Sequence, residues 1–511
     1  MNQSQNVSTF LEDSFHHLTI PIARKMYLDA LTPVEMFQRL QEEAVYLLES
    51  NDSSSPWGNY SFIGLNPFLY LEEEKGTFRL SDANHQPFCE KGSFKEIFDE
   101  SLKILKLKQV DIPLPFKGGA VGYMGYDAVS MVENISLPAN NDLAMKRFYF
   151  VYCETILAYH HQQKELTMIH YVRLNGQETE QEKRSIYEKA IGKMNDYIKQ
   201  LSDSTVKAAP LVFESNQGEV DFTAVQSTYE KEKFLQDVDT IKEYIRSGDI
   251  FQAVLSQRFE MPVNVSGFQI YRVLRLVNPS PYLFYIKVEG AELVGSSPER
   301  LIQIENGHLE IHPIAGTRRR GRTKEEEQKL QQDLLHDQKE QAEHYMLVDL
   351  ARNDIGRVAQ YGSVQTPVLM ELVTFSHVMH LISKVTGRLA ENVHPVDALF
   401  SAFPAGTVSG APKIRAMQIL SELEPTARNV YAGTVAYLDF DGNIDSCIAI
   451  RTIMLKDERA YVQAGAGIVA DSIPELEWKE TRNKASALIR TIQLANQLYE
   501  EKGDLYVSRF A

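Results

Sequence analysis

Two glutamates three residues apart are the first side chains in this sequence that could do chemistry. Glu340 and Glu343 lie in the segment KEQAEHYMLVDLARND (339–354). A spacing of three places both carboxylates on one face of a helix, with His344 alongside. Such pairs usually lie on solvated surfaces. Here mostly apolar residues follow at 346–350, so the helix is not simply polar.

A second pair has the same spacing near the C-terminus. Glu477 and Glu480 are three residues apart, and Lys484 follows four later, so all three side chains share one helix face. Two glutamates from each of two helices could surround one hard divalent cation. Mg2+ prefers oxygen ligands and usually keeps water in its shell. The spacing therefore predicts a Mg2+ site at which the two helices converge.

A glycine-containing run, QAGAGIV (463–469), precedes the second helix. Gly465 and Gly467 lack a Cβ, so their N–H groups, with that of Ala466, can approach an anion closely. The alternative is a tight turn at the end of a strand. The run matches neither G-x-G-x-x-G nor a P-loop, so it does not indicate a nucleotide cofactor.

Capping signals indicate where the two helices begin. Thr323 with Glu326 three residues later has the pattern of a capping box, from which a helix is expected to run through 339–354. Ser472 with Glu475 has the same pattern before the second helix.

The remaining patterns indicate an α+β fold. In the first part of the chain, helices are predicted at 93–106 and 177–203, and strands at 60–64, 148–159 and 165–173. The second part begins with a helix that carries Phe234, Val238, Ile241 and Ile245 and ends at Gly248, followed by strands at 250–260, 282–289 and 291–295.

The strand patterns occur in groups, which favours antiparallel sheets. A meander is predicted at 430–465, with Asp441-Gly442 as a hairpin turn. We expect large antiparallel β-sheets packed as a sandwich with helices outside, in two associated domains. The pattern weakens at 204–222, so the domains are predicted at 1–220 and 225–505.

Composition excludes several classes of protein. With 511 residues, 43% hydrophobic and 24% charged, the chain has the composition of a globular protein. A net charge of −16 argues against nucleic acid or an anionic membrane as a partner. The three cysteines are far apart, which makes a zinc site or a disulfide framework improbable. No signal peptide or membrane span is visible, so a cytoplasmic location is expected.

Many segments together resemble the chorismate-utilising enzymes, most closely the component I family of anthranilate synthases. The segments that carry the resemblance are YLLES (46–50), SFIGLNP (61–67), GGAVGYMGYD (118–127), GDIFQAVLSQRF (248–259), NPSPYLFY (278–285), GSSPERL (295–301), HPIAGTRRRG (312–321), EHYMLVDLARNDIGRV (343–358), SHVMHL (376–381), AFPAGTVSGAPKIRAM (402–417), DGNIDSCIAIRT (441–452) and QAGAGIVADS (463–472). They match densely over about 230–495 and more thinly before it.

The resemblance implies a reaction on chorismate. Ammonia adds at C2 while the C4 hydroxyl leaves, and the enolpyruvyl group is then eliminated as pyruvate to give anthranilate. A cation should hold the ring carboxylate. Hydroxide leaves poorly, so a proton donor must stand near C4. The substrate carboxylates need fixed donors.

The family match also implies roles for individual residues. Glu340, Glu343, Glu477 and Glu480 would surround Mg2+, with Glu343 and Glu480 favoured as direct ligands. His380 would be the acid near C4, Glu299 would assist it and Thr407 would orient the region. The substrate would be bound by Gly316, Thr317, Tyr431, Arg451, Gly465, Ala466, Gly467 and Lys484. Without the match, three simpler readings remain: His380 as a core histidine, Glu299 paired with Arg300, and Arg451 as a structural ion-pair partner.

Two positions distinguish sister activities. Gln252 stands where isochorismate and salicylate synthases have a lysine that activates water, and an amide cannot act as that base. Ala315 stands where aminodeoxychorismate synthases have a nucleophilic lysine, and alanine has no nucleophile. Direct addition of ammonia is therefore expected. The alternative for both positions is neutral drift on a pocket wall.

The resemblance also implies feedback inhibition by tryptophan. Two segments look like the halves of its site, and the residues expected to bind tryptophan are Glu49, Ser50, Asn278, Pro281, Tyr282 and Leu283. Many relatives carry methionine where Leu283 stands. The alternative is a strand and a proline turn at a domain interface.

Ammonia is expected from a separate glutamine amidotransferase subunit, component II, in a hetero-oligomer. The alternatives are aminodeoxychorismate synthase component I, opposed by Ala315, and a non-catalytic regulatory subunit of the same fold, opposed by the retained glutamates. An aminodeoxyisochorismate synthase is usually fused to a glutaminase, and no such region follows the matched segments.

Overall fold

Antiparallel pairing organises the strands of this protein. The computed structural model describes residues 2–500 except 4–5, 52–55, 204, 206–209, 213–219 and 375–377. The strands of the first part are β1 (Asn2–Gln3), β2 (Thr19–Tyr27), β3 (Ala44–Glu49), β4 (Tyr60–Glu74), β5 (Thr77–Asp82), β6 (Pro87–Lys91), β7 (Gly119–Met124), β8 (Phe148–His160) and β9 (Glu165–Arg173).

The second part contributes further strands to the same hydrogen-bonded sheet. They are β10 (Gln226–Ser227), β11 (Gln252–Pro262), β12 (Tyr282–Val288), β13 (Ala291–Ser297), β14 (Arg300–Glu305), β15 (His308–Ile311), β16 (Ile314–Arg319), β17 (Gln365–Thr374), β18 (Val378–Arg388), β19 (Gly410–Ala411), β20 (Thr434–Asp439), β21 (Ile444–Ile448), β22 (Thr452–Lys456) and β23 (Arg459–Ile468).

Helices flank the strands. They are α1 (Val7–Asp13), α2 (Pro33–Arg39), α3 (Phe94–Leu105), α4 (Glu180–Ser202), α5 (Lys231–Arg246), α6 (Gly267–Val277), α7 (Lys324–His336), α8 (Gln338–Gly356), α9 (Pro395–Ala402), α10 (Gly406–Ser409), α11 (Lys413–Leu423) and α12 (Pro474–Glu500), with 3-10 turns at Pro56–Asn59 and Tyr126–Met131. None of the helices in the described part of the chain has the length and apolar character that a bilayer crossing requires.

Strand alternation explains why the sheet has helices on its outer faces. Tyr46 and Phe62 point into a core that is contributed by strands and loops alone, among the described residues. Their chain neighbours Leu47 and Ile63 point the other way, into a core shared with helices such as α4, α6 and α12. Because successive side chains of a strand face opposite sides, each strand serves both cores. The predicted α+β class with large antiparallel sheets is confirmed.

The sheet crosses the predicted domain boundary. Strand β3 pairs with β12, with Glu49 opposite Leu283, and β7 pairs with β20. Most of the predicted linker lies outside the described residues. The division into 1–220 and 225–505 remains a prediction.

Most element predictions are confirmed within a few residues, including the hairpin between β20 and β21, where Gly442 has φ of 85°. The single helix expected from 323 to 354 is wrong. Asp337 has extended backbone and separates α7 from α8, because its carboxylate accepts the N–H groups of Lys339 and Glu340 and so caps a new helix.

The predicted capping boxes are only partly right. The Thr323 hydroxyl accepts the N–H of Glu326, but the Glu326 carboxylate turns to Arg322 and Arg319 instead of closing the box. Helix α12 begins at Pro474, and the Ser472 hydroxyl accepts the N–H of Val469 in the preceding turn, so the second box is wrong.

Candidate functional site

The four predicted glutamates lie on two helices that face each other. Burial raises the pKa of Glu343, and the carboxylates of Glu340 and Glu480 raise it further. Burial also raises the pKa of Glu477, with a further contribution from Glu480, and Lys339 of α8 opposes it. Charges on α8 and α12 thus act on one another, as expected for groups on two walls of one cleft. His344, predicted alongside, is instead fully buried and bonds Ser383 at 2.6 Å.

The four glutamates offer the carboxylate oxygens that Mg2+ prefers, but they are not tightly clustered. No three of the four glutamates have carboxylate oxygens within 4.8 Å of one another; in the described part of the chain only Glu72, His85 and Glu289 form such a group. That group already contains a cation, because Lys146 pairs with both of its carboxylates. The four glutamates therefore form no ready group of three ligand oxygens among the described residues, and a Mg2+ ion there would bind one or two carboxylates directly and the others through water.

A bulge in β16 forms one wall of the cleft. Gly316 has φ of 72°, and a Cβ there would lie 2.9 Å from Leu334 and 3.3 Å from the Glu340 carboxylate, so only glycine fits. The bulge interrupts the register with β18. It directs the Gly316 carbonyl toward His380, whose Nδ1 lies 3.1 Å from that oxygen and 3.1 Å from the Thr317 hydroxyl.

The position of His380 determines its tautomer. Because a carbonyl can only accept, Nδ1 carries the proton and Nε2 presents a lone pair when the ring is neutral. Burial lowers the pKa of His380, against the Gly316 hydrogen bond, so the neutral ring is favoured near neutral pH. Residues 376–377 of the SHVMHL segment lie outside the described part of the chain.

The pKa of Glu299 is shifted in the opposite direction to that of His380. Burial raises the pKa of its carboxyl to about 7, while Thr407 and Lys484 draw it down. In the described structure the buried Thr407 hydroxyl oxygen makes no hydrogen bond of regular geometry, so its contact with Glu299 is loose. The alternative ion pair with Arg300 is not formed, because Arg300 turns away and bonds Tyr282 at 2.7 Å and Glu310 at 2.8 Å. Near pH 7 the Glu299 carboxyl is therefore about half protonated, whereas an ordinary glutamate is ionised.

A buried cation marks the other end of the cleft. Arg451 lies in the left-handed region, with φ of 51°, and donates to the backbone carbonyl of Lys484. Burial lowers the pKa of Arg451, and among the described residues no carboxylate pairs with it. The alternative of a structural ion pair is therefore not observed. A partly buried guanidinium without a counter-ion favours an anionic ligand.

Tyr431 and Lys484 lie beside this cation. Burial raises the pKa of Tyr431 to about 12, and Arg428 and Arg451 oppose that shift. Lys484 bonds Glu480 at 2.8 Å and the Gly465 carbonyl at 2.9 Å. Lys484 thus connects the acidic half of the cleft to the glycine run.

The glycine run is part of β23 rather than a turn. Gly465 pairs with Ser256 and Gly467 with Val254 of β11. A Cβ on Gly465 would lie 2.9 Å from the Tyr431 hydroxyl, and one on Gly467 would collide with the Gln252 amide. Both glycines are therefore required for close approach of side chains across this strand pair. Ala466, between them, points into the buried core.

The sequence patterns missed two arginines that support the site. Arg318 of β16 bonds Glu340 at 3.0 Å, and its only sequence signal is the arginine run beside two acidic helices. Arg428 is almost fully buried, pairs with Glu424 at 2.7 Å and lies over the rings of Tyr126 and Tyr431. No periodic pattern marks it.

The predicted tryptophan-binding residues line a separate cavity. Its volume is about 660 Å3 including the open mouth. Five of the six predicted residues line it, namely Glu49, Ser50, Pro281, Tyr282 and Leu283. Asn278 does not, because it caps the end of α6 and accepts the Ser296 hydroxyl.

The walls of this cavity come from both parts of the chain. The Glu49 carboxylate is bonded by Tyr271 at 2.6 Å and Arg275 at 3.2 Å. Other walls are Phe62 and Cys447. Its size and mostly apolar lining fit a ligand of amino-acid size.

Comparisons with known proteins agree with this geometry. The family of chorismate binding enzymes matches residues 65–490. The chain is 56% identical to "Anthranilate synthase component 1" of Bacillus caldotenax over 498 residues, 97% of this chain and 98% of the relative. It is 51% identical to the protein of that name from Bacillus subtilis (strain 168) over 505 residues, 99% of this chain and 98% of the relative.

A solved structure is also similar. The crystal structure of anthranilate synthase component I from Streptococcus pneumoniae TIGR4 superposes with a TM-score of 0.72 at 36% identity, covering 91% of this chain and 99% of that one. By sequence and by fold, the chain belongs to the chorismate binding enzyme family, among the anthranilate synthase component 1 proteins.

Proposed function

We propose that this protein converts chorismate and ammonia to anthranilate, pyruvate and water. The observation that carries the proposal is the pairing of an acidic cleft wall with a partly buried cation that has no carboxylate partner among the described residues. Glu343 and Glu480 lie on α8 and α12, and Arg451 lies beside Tyr431. One side thus suits a divalent cation and the other suits a substrate carboxylate.

The four glutamates would hold Mg2+, with Glu343 and Glu480 as the direct ligands. When bound, the ion would hold the ring carboxylate of chorismate and withdraw electrons from the ring. Lys484 now pairs with Glu480 and would be released toward a substrate carboxylate once that glutamate binds a metal. The peptide N–H groups around Gly465 would line the same pocket, with Gly316 and Thr317 opposite.

Of the two candidate acids, Glu299 and His380, Glu299 is the better proton donor at the C4 hydroxyl. Its carboxyl has a pKa of about 7 because of burial, so about half of it is protonated at pH 7 and can donate a proton. Ammonia forms a bond to C2, the C4–O bond breaks, and the oxygen leaves as water with the Glu299 proton. Thr407 would orient the carboxyl. His380 would lie near C4 as well, with its Nδ1 proton held by Gly316 and a lone pair on Nε2.

The second half of the reaction restores aromaticity. Loss of the proton at C2 and cleavage of the C3–O bond release the enolpyruvyl group, which takes up a proton as pyruvate. A neutral His380 whose proton is on Nδ1 has a lone pair on Nε2, the right protonation state to accept a proton.

Ammonia is preferred over other nucleophiles because of two positions. Gln252 covers Gly467, and its amide cannot deprotonate water. Ala315 precedes the bulge of β16 and has no group that could attack C2. Free ammonia would come from a separate glutamine amidotransferase subunit in a hetero-oligomer.

The test is product analysis with two nitrogen donors. With Mg2+, chorismate and ammonium at alkaline pH, the purified chain is expected to form fluorescent anthranilate and an equal amount of pyruvate. With glutamine in place of ammonium it should form none. Aminodeoxychorismate as the only product would refute the proposal, and turnover with glutamine alone would refute the need for a partner.

Tryptophan would inhibit from the cavity that residues of β3 and β12 line. The cavity is lined by Ser50 and Tyr282, and the adjacent Glu49 and Arg300 supply charges that could meet an ammonium and a carboxylate. Arg300 follows Glu299 directly in the chain, so occupancy of the cavity could act on the acid by a coupling between two sites.

A further inference from the structure

We propose that Arg318 is a positioning residue for the metal site: it holds Glu340 and the first turn of α8 in the orientation that divalent-cation binding requires. This inference rests on the proposed function, because it takes the four glutamates as the metal site.

One guanidinium joins three carboxylates. Nε of Arg318 bonds Asp333 Oδ2 at 2.7 Å, Nη2 bonds Asp337 Oδ2 at 2.7 Å, and Nη1 bonds Glu340 Oε1 at 3.0 Å. Nη1 also donates to the Thr317 carbonyl at 3.1 Å. The planar fork of arginine allows this arrangement, which a single ammonium could not reproduce.

The three carboxylates lie on both sides of the break between α7 and α8. Asp333 is in α7, Asp337 is the cap and Glu340 is in the first turn of α8. The Oδ1 atom of Asp337 accepts the N–H groups of Lys339 and Glu340 at 3.0 and 3.2 Å, while Oδ2 is held by Arg318. The direction in which α8 leaves the break is therefore set by the Arg318 side chain.

Both glutamates of the α8 pair depend on that direction. Glu343 is one turn beyond Glu340, so a rotation of the first turn moves both carboxylates relative to α12. Arg318 also binds one Glu340 oxygen, leaving the other beside Gly316. The Arg318 contact thereby fixes Glu340, which suits contact with the metal through water. No corresponding side-chain hydrogen bond holds Glu343 among the described residues.

Removal of a residue that orients metal ligands typically lowers metal affinity 10- to 100-fold. We expect Arg318→Met to raise the Kd for Mn2+, used as a paramagnetic substitute for Mg2+, by about that factor. Arg318→Lys, which keeps the charge but not the fork, should lose affinity as well. The apparent constant for Mg2+ in the ammonia-dependent reaction should rise, while kcat at saturating Mg2+ changes less.

The neighbouring arginine gives a matched control. Arg320 pairs with Glu327 of α7 at 2.8 Å, so Arg320→Met removes the same charge next to the same strand end. It should bind Mn2+ like the unsubstituted protein. Thermal unfolding and tryptophan binding, measured on each variant, separate a local change from misfolding.

The outcomes are distinct. Mn2+ binding is followed by the loss of the free-ion electron paramagnetic resonance signal. Unchanged affinity in folded Arg318→Met, or an equal loss in Arg320→Met, would overturn the role of Arg318. Absence of saturable Mn2+ binding by the unsubstituted chain would refute the metal site itself, and with it the proposed function.

Discussion

At the scale of single residues, neighbours in the chain take opposite environments. Glu299 lies beside Thr407 and has a raised pKa of about 7, whereas Arg300 faces the other cavity and binds Tyr282 and Glu310. Alternation along an extended segment separates the two side chains. A pair of opposite charges that looks like an ion pair in the sequence is thus divided between two sites.

The pKa of Glu299 gives a pH prediction. If its protonated form donates to the leaving hydroxyl, kcat/KM for chorismate at constant free ammonia should be level below pH about 7 and fall about tenfold per pH unit above it. Glu299→Gln should lower kcat by about 10²–10⁴-fold and abolish the fall of kcat/KM at high pH. A profile that stays level to pH 9 in the unsubstituted enzyme would contradict this role.

The same shift affects stability. A carboxyl whose pKa is raised from 4.5 to about 7 on folding does not lower the free energy of unfolding below pH 4.5. It lowers that free energy increasingly as the pH rises to 7. The cost above that pH is up to about 3 kcal/mol. Glu299→Gln should therefore gain in unfolding temperature over the unsubstituted protein at pH 8 and gain little at pH 4.5, as calorimetry at both pH values would report.

At the scale of elements, one strand pairing assembles the candidate inhibitor cavity. β3 of the first part lies next to β12 of the second, which brings segments more than 200 residues apart into contact. The break at Asp337 ends α7 and starts α8, the helix that carries Glu340 and Glu343. Both sites therefore depend on where an element begins and on what it pairs with.

The cavity prediction follows from that pairing. Ser50→Phe would fill space at the cavity wall, and we expect it to raise the inhibition constant for tryptophan at least about tenfold through steric exclusion while kcat changes little. Leu283→Met conserves volume and should shift tryptophan affinity only slightly. Calorimetric titration with tryptophan measures both. Unchanged affinity in Ser50→Phe would reject this cavity as the inhibitor site.

At the scale of the whole molecule, one buried ion pair connects the layers around the cleft. Glu424 Oε1 accepts the N–H and hydroxyl of Ser256 at 2.9 and 2.8 Å. Arg428 donates to the carbonyls of Val254 and Val408 at 2.7 Å each. The pair thus joins β11, α10 and the segment that carries Tyr431.

Breaking this pair should be costly. The side chains are 2% and 4% exposed, so Arg428→Met leaves an unpaired buried carboxylate, and we expect it to lower the free energy of unfolding by about 3–5 kcal/mol. The double variant Arg428→Met/Glu424→Gln should recover part of the loss, since it removes the unpaired charge. Urea unfolding at pH 7.5 measures the three proteins, and an equal loss in the single and double variants would argue against this account.

Much of the site could be predicted from the sequence because its signals are local. A spacing of three or four residues fixes which glutamates share a face of α8 or α12, and Asp441-Gly442 fixes the hairpin between β20 and β21. The first capping box did not close because the Glu326 carboxylate binds Arg322 and Arg319 instead, and the second because the Ser472 hydroxyl accepts the N–H of Val469. Arg318 and Arg428 carry no periodic signal, since their partners are set by packing.

Sequence alone determined the family, the antiparallel α+β class and the residue types at the cleft, including Gln252 and Ala315. Tertiary structure decided three further matters: that Glu343 and Glu480 act on one another, that Arg451 has no counter-ion among the described residues, and that the pKa of Glu299 is raised to about 7. The physical reason is the separation along the chain of the residues that determine each property. Face and turn depend on neighbours in the chain, whereas burial and the distance between charges depend on residues brought together only by folding.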